Sequence, residues 1–311
     1  MEPAFALDLR EFRRELNATR YENAAELQRR IWSCEENPPI VKHRDIPLLP
    51  WPRLSVPPAP GPFLFVSGTA RSGTTALGKL LNAHAQVAIY IELYHFACGY
   101  TPQMFSTEAI GYLQQRGLLP DPLPAQSLAA FRKAVVNEPP VRFLGDKRPE
   151  FLRTAQLTLE HFRSSHVTVV HIRRPVRDVA WSYMKRVENG TFSHDRDYKR
   201  AVDDCNFNNR KLLELAQQSP ANLTLLLVDY HQFWQSQQCA DQLFSRLSLA
   251  DHLIDRQAVA NLYKVYRQRI STKSRELPAE MEAHIHAQFD HAADDAVRDM
   301  ARGGPLAVLS A

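Results

Sequence analysis

Cysteine is scarce in this sequence, and its few positions exclude two kinds of site. The 311 residues contain four cysteines, none of them in a C-x-x-C pair. This spacing predicts neither a zinc site nor a disulfide framework, so we expect the chain to work in a reducing compartment. The four residues are Cys34, Cys98, Cys205 and Cys239.

Long apolar runs are also missing. The chain has no run of about 18 apolar residues, the length at which a helix can span a membrane. Near the start, Glu2, Asp8, Arg10 and Glu11 interrupt the stretch that a signal peptide would need to keep apolar. The sequence therefore predicts a cytoplasmic protein without a membrane segment.

The chain lacks a strong excess of charge of either sign. Lys and Arg together number 38, and Asp and Glu number 34, which leaves a formal net charge of +4. This balance is too weak to indicate a nucleic-acid-binding protein, but it is compatible with a local anion site. We therefore expect no nucleic-acid partner and look for clusters of positive charge along the chain.

Short apolar runs alternate with helical patterns through the middle of the sequence. The composition, 44% hydrophobic and 23% charged, is typical of a globular protein. Strands that alternate with helices indicate a parallel sheet covered on both faces. The prediction is an α/β fold with a P-loop-like parallel sheet flanked by helices. The predicted strands are residues 63–66, 87–91, 141–144, 167–172 and 223–228. The predicted helices are residues 74–83, 127–136, 150–162, 176–187, 198–217 and 232–247.

Three segments are expected along the chain. Residues 1–62 form an N-terminal helical segment, with a helix-like pattern at 7–32, and a proline-rich connector that begins at residue 38. Residues 63–250 form the core. Residues 251–311 form a C-terminal helical extension of the same domain, because residues 255–300 have no convincing strand pattern.

Glycine is sparse, yet four of the 11 glycines fall within eighteen positions, at Gly61, Gly68, Gly73 and Gly78. The segment that starts at Gly68 follows a predicted strand and opens a predicted helix. In this setting, backbone N–H groups and a helix N-terminus can surround a phosphate. The alternative is an ordinary strand-to-helix turn capped by a threonine. The hydroxyl donors of the loop are Ser72, Thr74 and Thr75.

The loop departs from the Walker A pattern at one position. Thr74 stands where the lysine that reaches a γ-phosphate would be, and Thr75 follows it. A kinase or nucleotide hydrolase would lose its β/γ-phosphate contact through this change. A protein that binds a nucleotide without a transferable γ-phosphate needs only the cradle and a cation, which Arg71 can supply from within the loop.

A second basic turn follows the strand predicted at 167–172. The proline after Arg174 suits the first turn of a helix, so Arg174 is expected at the mouth of that helix. Ser182 and Arg186 are four residues apart and share a helix face. Together the three side chains could hold a doubly charged phosphate. The alternative is a solvated basic helix, which we prefer for Arg177 and Lys185.

The first motif resembles the phosphate loop of the sulfotransferases that use 3′-phosphoadenosine 5′-phosphosulfate (PAPS). The resemblance is strongest to the branch that includes tyrosylprotein sulfotransferases and bacterial carbohydrate and small-molecule enzymes. It covers roughly residues 63–233. The loop that it assigns to the 5′-phosphosulfate is Arg71-Ser72-Gly73-Thr74-Thr75.

The second motif resembles the 3′-phosphate site of the same family. There, an Arg at a strand end, a Ser eight residues later and an Arg four residues beyond bind the phosphate, which implies Arg174, Ser182 and Arg186. The family usually has Arg-Asp-Pro or Arg-Asn-Pro at this turn, so alignment through Ser182 selects Arg174 over Arg173. Tyr230 follows a strand that resembles one whose Tyr contacts the nucleotide. A strand-end core tyrosine is the alternative.

The resemblance also implies catalytic residues. Glu92 follows the second predicted strand, where side chains line the ligand crevice of an α/β sheet. Its spacing from Arg71 is that of the family's catalytic glutamate, the general base. His95 is the competing base, because imidazole titrates near neutrality. Lys147 ends another predicted strand and resembles the family lysine that contacts the bridging oxygen or the sulfuryl group, a role that Arg71 shares.

The implied activity is in-line transfer of a sulfuryl group from PAPS to a hydroxyl of a carbohydrate or small-molecule acceptor. The product is 3′-phosphoadenosine 5′-phosphate (PAP), and no metal is expected. A P-loop kinase-like enzyme and a non-catalytic nucleotide-binding protein are the alternatives. The acceptor has no legible motif. An aromatic-rich stretch at residues 94–112 is interpreted mostly as core or lid.

Overall fold

The framework of the protein is one mixed sheet. The strands are β1 Phe63–Gly68, β2 Val87–Ile91, β3 Phe143–Lys147, β4 Val167–Arg173, β5 Leu223–Asp229 and β6 Leu306–Leu309. Their order in the sheet is β2-β3-β1-β4-β5-β6. The first five strands are parallel, and β6 runs antiparallel to β5. The predicted fold class is therefore confirmed.

The computed structural model describes residues 58–59, 61–94, 99–115, 119, 122–191, 197–271, 276–300 and 306–309. The helical pattern at residues 7–32 and most of the proline-rich connector lie outside these residues. Within them, no helix is long and apolar enough to cross a membrane.

Helices connect the strands and cover both faces of the sheet. They are α1 Thr74–Leu81, α2 Thr107–Gln115, α3 Ala125–Val136, α4 Ala155–His161, α5 Val176–Glu188, α6 Tyr198–Gln218, α7 Tyr230–Phe233, α8 Gln238–Arg246, α9 Arg256–Ser271, α10 Ala279–Gln288 and α11 His291–Met300. Short 3₁₀ turns at Pro102–Phe105, Pro149–Arg153 and Asp251–Leu253 complete the described helical elements.

The strands are buried because helices pack on both sides of them. Every residue of β1 is buried, including its one hydroxyl side chain, Ser67. The Ser67 hydroxyl lies 3.2 Å from Nδ1 of His171 on the neighbouring strand β4. Burial lowers the pKa of His171 to about 3, so the ring is neutral at physiological pH. The two polar groups satisfy each other within the core.

Two hydrophobic clusters lie on opposite faces of the sheet. The first is rich in aromatic rings, among them Phe65 of β1, and Val297 of α11 belongs to it. The second contains Leu77 of α1, and Val259 of α9 belongs to it. Residues from the C-terminal part of the chain therefore pack into both clusters of the core.

Several elements differ from the sequence prediction. Strand β3 begins at Phe143 and continues through the polar end Gly145-Asp146-Lys147, because pairing with β1 and β2 keeps this polar segment extended. The helices predicted at 150–162 and 232–247 are each interrupted. Strand β6 was not predicted. Its apolar run is only four residues long, and its pairing with β5 is a tertiary contact.

The close approach of β1 and β3 predicts the effect of one substitution. A Cβ atom at Gly145 would lie 1.7 Å from the backbone oxygen of Leu64, so Gly145→Ala has to push two paired strands apart. We expect a loss of at least about 3 kcal/mol in the free energy of unfolding, measured by urea denaturation. The matched control is Gly111→Ala in α2, where no atom lies within 4 Å of the added Cβ. There we expect a gain of about 0.5–1 kcal/mol. Equal stability of the two variants would contradict this packing.

Candidate active site

The residues that the sequence analysis singled out lie along one edge of the sheet. In a parallel sheet the carboxyl ends of the strands share an edge, and α/β proteins bind their ligands there. The phosphate loop follows β1, and Arg174 follows the neighbouring strand β4. Glu92 follows β2, Lys147 ends β3, and Tyr230 follows β5. Each of the five parallel strands therefore brings a predicted residue to the same edge.

The loop between β1 and α1 has the geometry of an anion cradle. Gly68, Arg71 and Gly73 have φ values of 155°, 69° and 105°. At Gly73 a Cβ atom would lie 2.7 Å from the ring of Tyr230, so the contact with this tyrosine requires glycine. Gly73 is the N-cap of α1 and has no side chain that could bond the first N–H groups of the helix. These groups are therefore available to an anion.

The hydroxyl of Ser72 is a second observation at this loop. Its Oγ is buried and has no hydrogen-bond partner among the residues that the structure describes. A buried hydroxyl that stays unpaired costs about 1–3 kcal/mol. Thr74 is buried beside it, and Thr75 is half-buried. The donor set thus fits a ligand that brings its own acceptor oxygens into the loop.

The two basic motifs meet. Nε of Arg71 in the phosphate loop donates to Oγ of Ser182 on α5, at 3.1 Å. Nη1 of Arg174 donates to the backbone oxygen of Arg71, at 3.0 Å. The guanidinium of Arg174 also lies over the ring of Tyr230, 4.6 Å from its centroid. The loop after β1 and the helix after β4 therefore form one continuous basic surface.

This surface gathers positive charge. Burial, followed by the charges of Arg186 and Arg174, lowers the pKa of Arg71 from its usual value. Arg269 on α9 contributes in the same direction. Within the described part of the chain, neither Arg71 nor Arg186 makes an ion pair with a carboxylate. Since like charges repel, the cluster is suited to a ligand with several negative charges.

Arg174 is oriented by an acidic neighbour. Its Nε lies 3.5 Å from Oδ2 of Asp178, one helical turn further along the chain. The same carboxylate oxygen lies 2.6 Å from Nε2 of His231. Its Nη1 faces the loop, and the guanidinium carbon lies over the ring of Tyr230. One ion pair therefore holds the side chain while its charge remains directed to the edge of the sheet.

Arg173 has a different environment from Arg174. Its guanidinium bonds the buried carboxylate of Asp294 through two nitrogens, at 2.9 and 2.6 Å. A third nitrogen lies 3.3 Å from Oδ2 of Asp229. These partners tie β4 to α11 and to the end of β5. Arg173 therefore stabilises the fold, whereas the Arg174 guanidinium lies beside the loop after β1.

Glu92 and Lys147 form an ion pair across β2 and β3. Lys147 is only 1% exposed, whereas the side chain of Glu92 is 48% exposed. The backbone N–H of Glu92 also donates to the carbonyl of Lys147, at 2.9 Å. A Cβ added at Gly78 of α1 would lie 3.4 Å from Cβ of Lys147, so the lysine packs against the helix that follows the phosphate loop. A carboxylate and an ammonium thus stand next to the anion cradle.

Two residues of the site were not found from the sequence. Arg269 of the C-terminal extension lies close enough for its charge to lower the pKa of Arg71, and no motif surrounds it in the sequence. Asp146 is buried next to Lys147 and accepts hydrogen bonds from the turn after Glu92. The competing base His95 lies outside the described residues.

The aromatic stretch after this turn belongs to the core. Tyr94, Tyr100, Met104 and Phe105 are at most 1% exposed, while Tyr112 is exposed. The interpretation of this segment as mostly core is therefore correct for the described residues. Their rings pack on β1 and its neighbours and do not form a stacking surface for an acceptor.

The described residues contain no group of three or more His, Cys, Asp or Glu side chains that could hold a metal ion. Cys205 and Cys239 are buried free thiols, and burial raises the pKa of Cys205 to about 12. Cys205 therefore stays protonated at neutral pH.

The model of the Sulfotransferase family matches residues 62–252. The crystal structure of a sulfotransferase from Alicyclobacillus acidocaldarius aligns with 17% identity and a TM-score of 0.46, over 77% of this chain and 96% of that one. The sulfotransferase domain from the curacin biosynthetic pathway aligns with 16% identity and a TM-score of 0.40, over 75% and 98%.

A third alignment is to the sulfotransferase domain of the Synechococcus PCC 7002 olefin synthase. It has 16% identity and a TM-score of 0.41, over 76% of this chain and 97% of that one. No curated protein matches the chain.

The two adjacent arginines are expected to respond differently to substitution. Arg173→Ala leaves Asp294 buried without its main counter-charge, so we expect a loss of about 3–5 kcal/mol in unfolding free energy. Arg174→Ala removes a charge from a repulsive cluster, and we expect a loss of less than about 1.5 kcal/mol. Urea denaturation of both variants at the same pH measures the difference. A greater loss in Arg174→Ala would contradict these assignments.

Proposed function

The chain belongs to the Sulfotransferase family, and from this premise we propose that it transfers the sulfuryl group of PAPS to a hydroxyl of a carbohydrate or another small molecule. We place this activity in the cytoplasm. The family assignment rests on a match over more than half of the chain. The donor, the acceptor and the roles of individual residues are the proposal.

The observation that carries the proposal is the contact between the two basic motifs. One doubly phosphorylated nucleotide can bridge them only if they lie on the same side of the sheet and close together. Arg71 of the phosphate loop bonds Ser182 directly, and Arg174 bonds the carbonyl of Arg71. The motifs that resemble the 5′ and 3′ sites of the family are therefore neighbours.

The residues at this edge fit PAPS as a ligand. Residues 71–75 would hold the 5′ group, because the uncapped N-terminus of α1 and the unpaired Ser72 hydroxyl both offer hydrogen-bond donors. Arg174, Ser182 and Arg186 would hold the 3′-phosphate. Tyr230 packs on Gly73 and under Arg174, where it shapes the floor between the two groups.

Glu92 would act as the general base. In the reaction the acceptor oxygen forms a bond to sulfur, the bond from sulfur to the 5′-phosphate oxygen breaks, and the acceptor hydroxyl gives up its proton. Glu92 is exposed enough to meet an acceptor and is the carboxylate paired with Lys147. It would receive that proton, and PAP would leave with the electron pair of the broken bond.

Lys147 and Arg71 would stabilise the leaving group. Lys147 is buried between β3 and α1, where its charge is little screened by water. Negative charge that develops on the 5′-phosphate oxygen would attract the ammonium group, which is paired with Glu92 before the reaction. As Glu92 takes the proton its own charge is lost. The ion pair therefore couples proton removal to stabilisation of the leaving group.

Calorimetry tests nucleotide binding. We expect PAP to bind without Mg²⁺, and Arg174→Ala and Ser182→Ala each to weaken binding about 10- to 100-fold through the loss of a charge-assisted hydrogen bond. The matched control is Arg163→Ala, since this exposed arginine lies before the start of β4 at the opposite edge of the sheet. Binding of ATP with Mg²⁺, and no binding of PAP, would instead support a kinase-like enzyme and overturn the proposal.

Glu92→Gln tests the chemical step. The amide cannot accept the proton, so we expect transfer to fall about 10²- to 10⁴-fold. PAP binding should be unchanged or tighter, because the substitution removes a negative charge from an anion site. Glu160→Gln on the exposed face of α4 is the control. The assay uses labelled PAPS with pooled saccharides and metabolites, which also identifies the acceptor. A fully active Glu92→Gln enzyme would rule out this base.

A further inference from the structure

Asp146 is a buried carboxylate to which the proposed reaction gives no role. Successive residues of β3 point to opposite faces of the sheet, so Lys147 packs against α1 while Asp146 faces the aromatic cluster around Tyr100. Its side chain is 0% exposed. Burial of a carboxylate in aromatic surroundings is unfavourable unless hydrogen bonds satisfy it.

Three donors converge on the Asp146 carboxylate. The N–H of Leu93 donates to Oδ1 at 3.4 Å, and the N–H of Tyr94 donates to Oδ2 at 3.2 Å. The hydroxyl of Tyr100 donates to Oδ2 at 3.1 Å. Leu93 and Tyr94 are both buried, so their N–H groups would lack this acceptor if Asp146 were absent.

These two N–H groups belong to the turn immediately after Glu92. Glu92 has a φ of 53°, a left-handed conformation that a non-glycine residue keeps only where its surroundings hold it. Two residues of strand β3 hold the turn. The carbonyl of Lys147 accepts from the N–H of Glu92, and the Lys147 ammonium pairs with the Glu92 carboxylate. The Asp146 carboxylate accepts from the next two N–H groups.

We propose that Asp146 is a positioning residue that fixes the turn carrying Glu92 and thereby aims its carboxylate at the acceptor hydroxyl. The effect passes through the backbone of Leu93 and Tyr94. This inference rests on the proposed role of Glu92 as the base, but the anchoring of the turn can be measured without any reaction.

The energetics of Asp146 support a role beyond folding. Desolvation raises its pKa from 3.8 to about 6, although the hydrogen bond from Tyr94, the charge of Lys147 and the hydrogen bond from Leu93 oppose the shift. The folded chain thus binds this proton more tightly than the unfolded chain. Stability contributed by the protonated group is lost as the pH rises from about 4 to about 6. The ionised form is retained at neutral pH at a cost to stability. The titratable groups on the same face are Tyr90, Tyr94 and Tyr100, and Tyr100 also interacts with Arg148. The charge of Lys147 acts on Asp146 from the other face of the sheet.

Asp146→Asn is the first test. The amide keeps the shape of the side chain but turns one acceptor oxygen into an NH₂ group that faces a backbone N–H. We expect kcat to fall about 10- to 100-fold, as a misplaced catalytic group produces. The Kd for PAP should stay within about twofold, because Asp146 lies on the other side of β3 from the phosphate loop. Thermal stability at pH 8 should be equal or higher. For the wild type we expect kcat to decline as the pH falls through about 6, because protonated Asp146 is a weaker acceptor for the turn, and we expect this decline to be absent from the variant.

Tyr90→Phe is the matched control. It removes a buried hydroxyl of the same cluster, and this hydroxyl has no hydrogen-bond partner in the described residues. We expect its kcat and its pH profile to equal those of the wild type. An Asp146→Asn enzyme with wild-type kcat, or a loss of kcat in Tyr90→Phe as large as in Asp146→Asn, would overturn the proposal.

Hydrogen exchange separates this inference from the proposed function. In the full-length protein without substrate, we expect the amides of Leu93 and Tyr94 to exchange at least about 10-fold faster in Asp146→Asn. Unchanged protection would refute the positioning role, whatever the activity. If the wild-type protein transferred no sulfuryl group, the proposed function would fail and with it the catalytic purpose of the turn. Faster exchange would still establish that Asp146 anchors it.

Discussion

The parallel pairing of β1 with β4 is the constraint on which the candidate site depends. The two strands pair in register from Phe63 with Val167 to Gly68 with Ile172, so the loops that follow them begin side by side. Arg174 then reaches the loop after β1, and Arg71 of that loop reaches Ser182 on α5, so that Arg71, Arg174 and Arg186 share one surface. Bringing these charges together is unfavourable in the free protein, and a polyanion relieves the repulsion.

Charged groups near the sheet edge fall into two kinds. Some are paired and hold elements together, as Arg173 does with Asp294, and their charges do not face a ligand. Others, such as Arg71 of the phosphate loop, make no such pair among the described residues and keep their charge at the carboxyl edge of the sheet. The Glu92 and Lys147 pair combines both properties, because one partner is buried in the fold and the other is half-exposed. A reaction at this edge would therefore draw on groups that the fold has already oriented.

The C-terminal part of the chain completes the site as well as the core. Helix α9 brings Arg269 to the arginine cluster, and α11 supplies the carboxylate that neutralises Arg173. Strand β6 covers the edge of β5, which would otherwise present unpaired N–H and C=O groups. The core expected at residues 63–250 thus depends on the extension that follows it for part of its electrostatics.

Local sequence patterns determined much of what could be predicted. Buried strands and helices can be predicted from runs and periodic patterns of apolar residues. A phosphate-loop motif or an Arg-to-Ser spacing lies within about a dozen positions, so it is also visible in the sequence. The sheet and the strand-to-helix position of the loop could therefore be predicted from the chain, whereas the choice of Arg174 over Arg173 came from the family resemblance. Only the tertiary structure decided the contact of Arg71 with Ser182, the hydrogen bonds of Asp146 to the turn after Glu92, and the position of Arg269 near Arg71. Each of these three features depends on residues that are far apart in the chain. A contact across such a separation produces no periodicity and no fixed spacing that could be recognised in a single sequence.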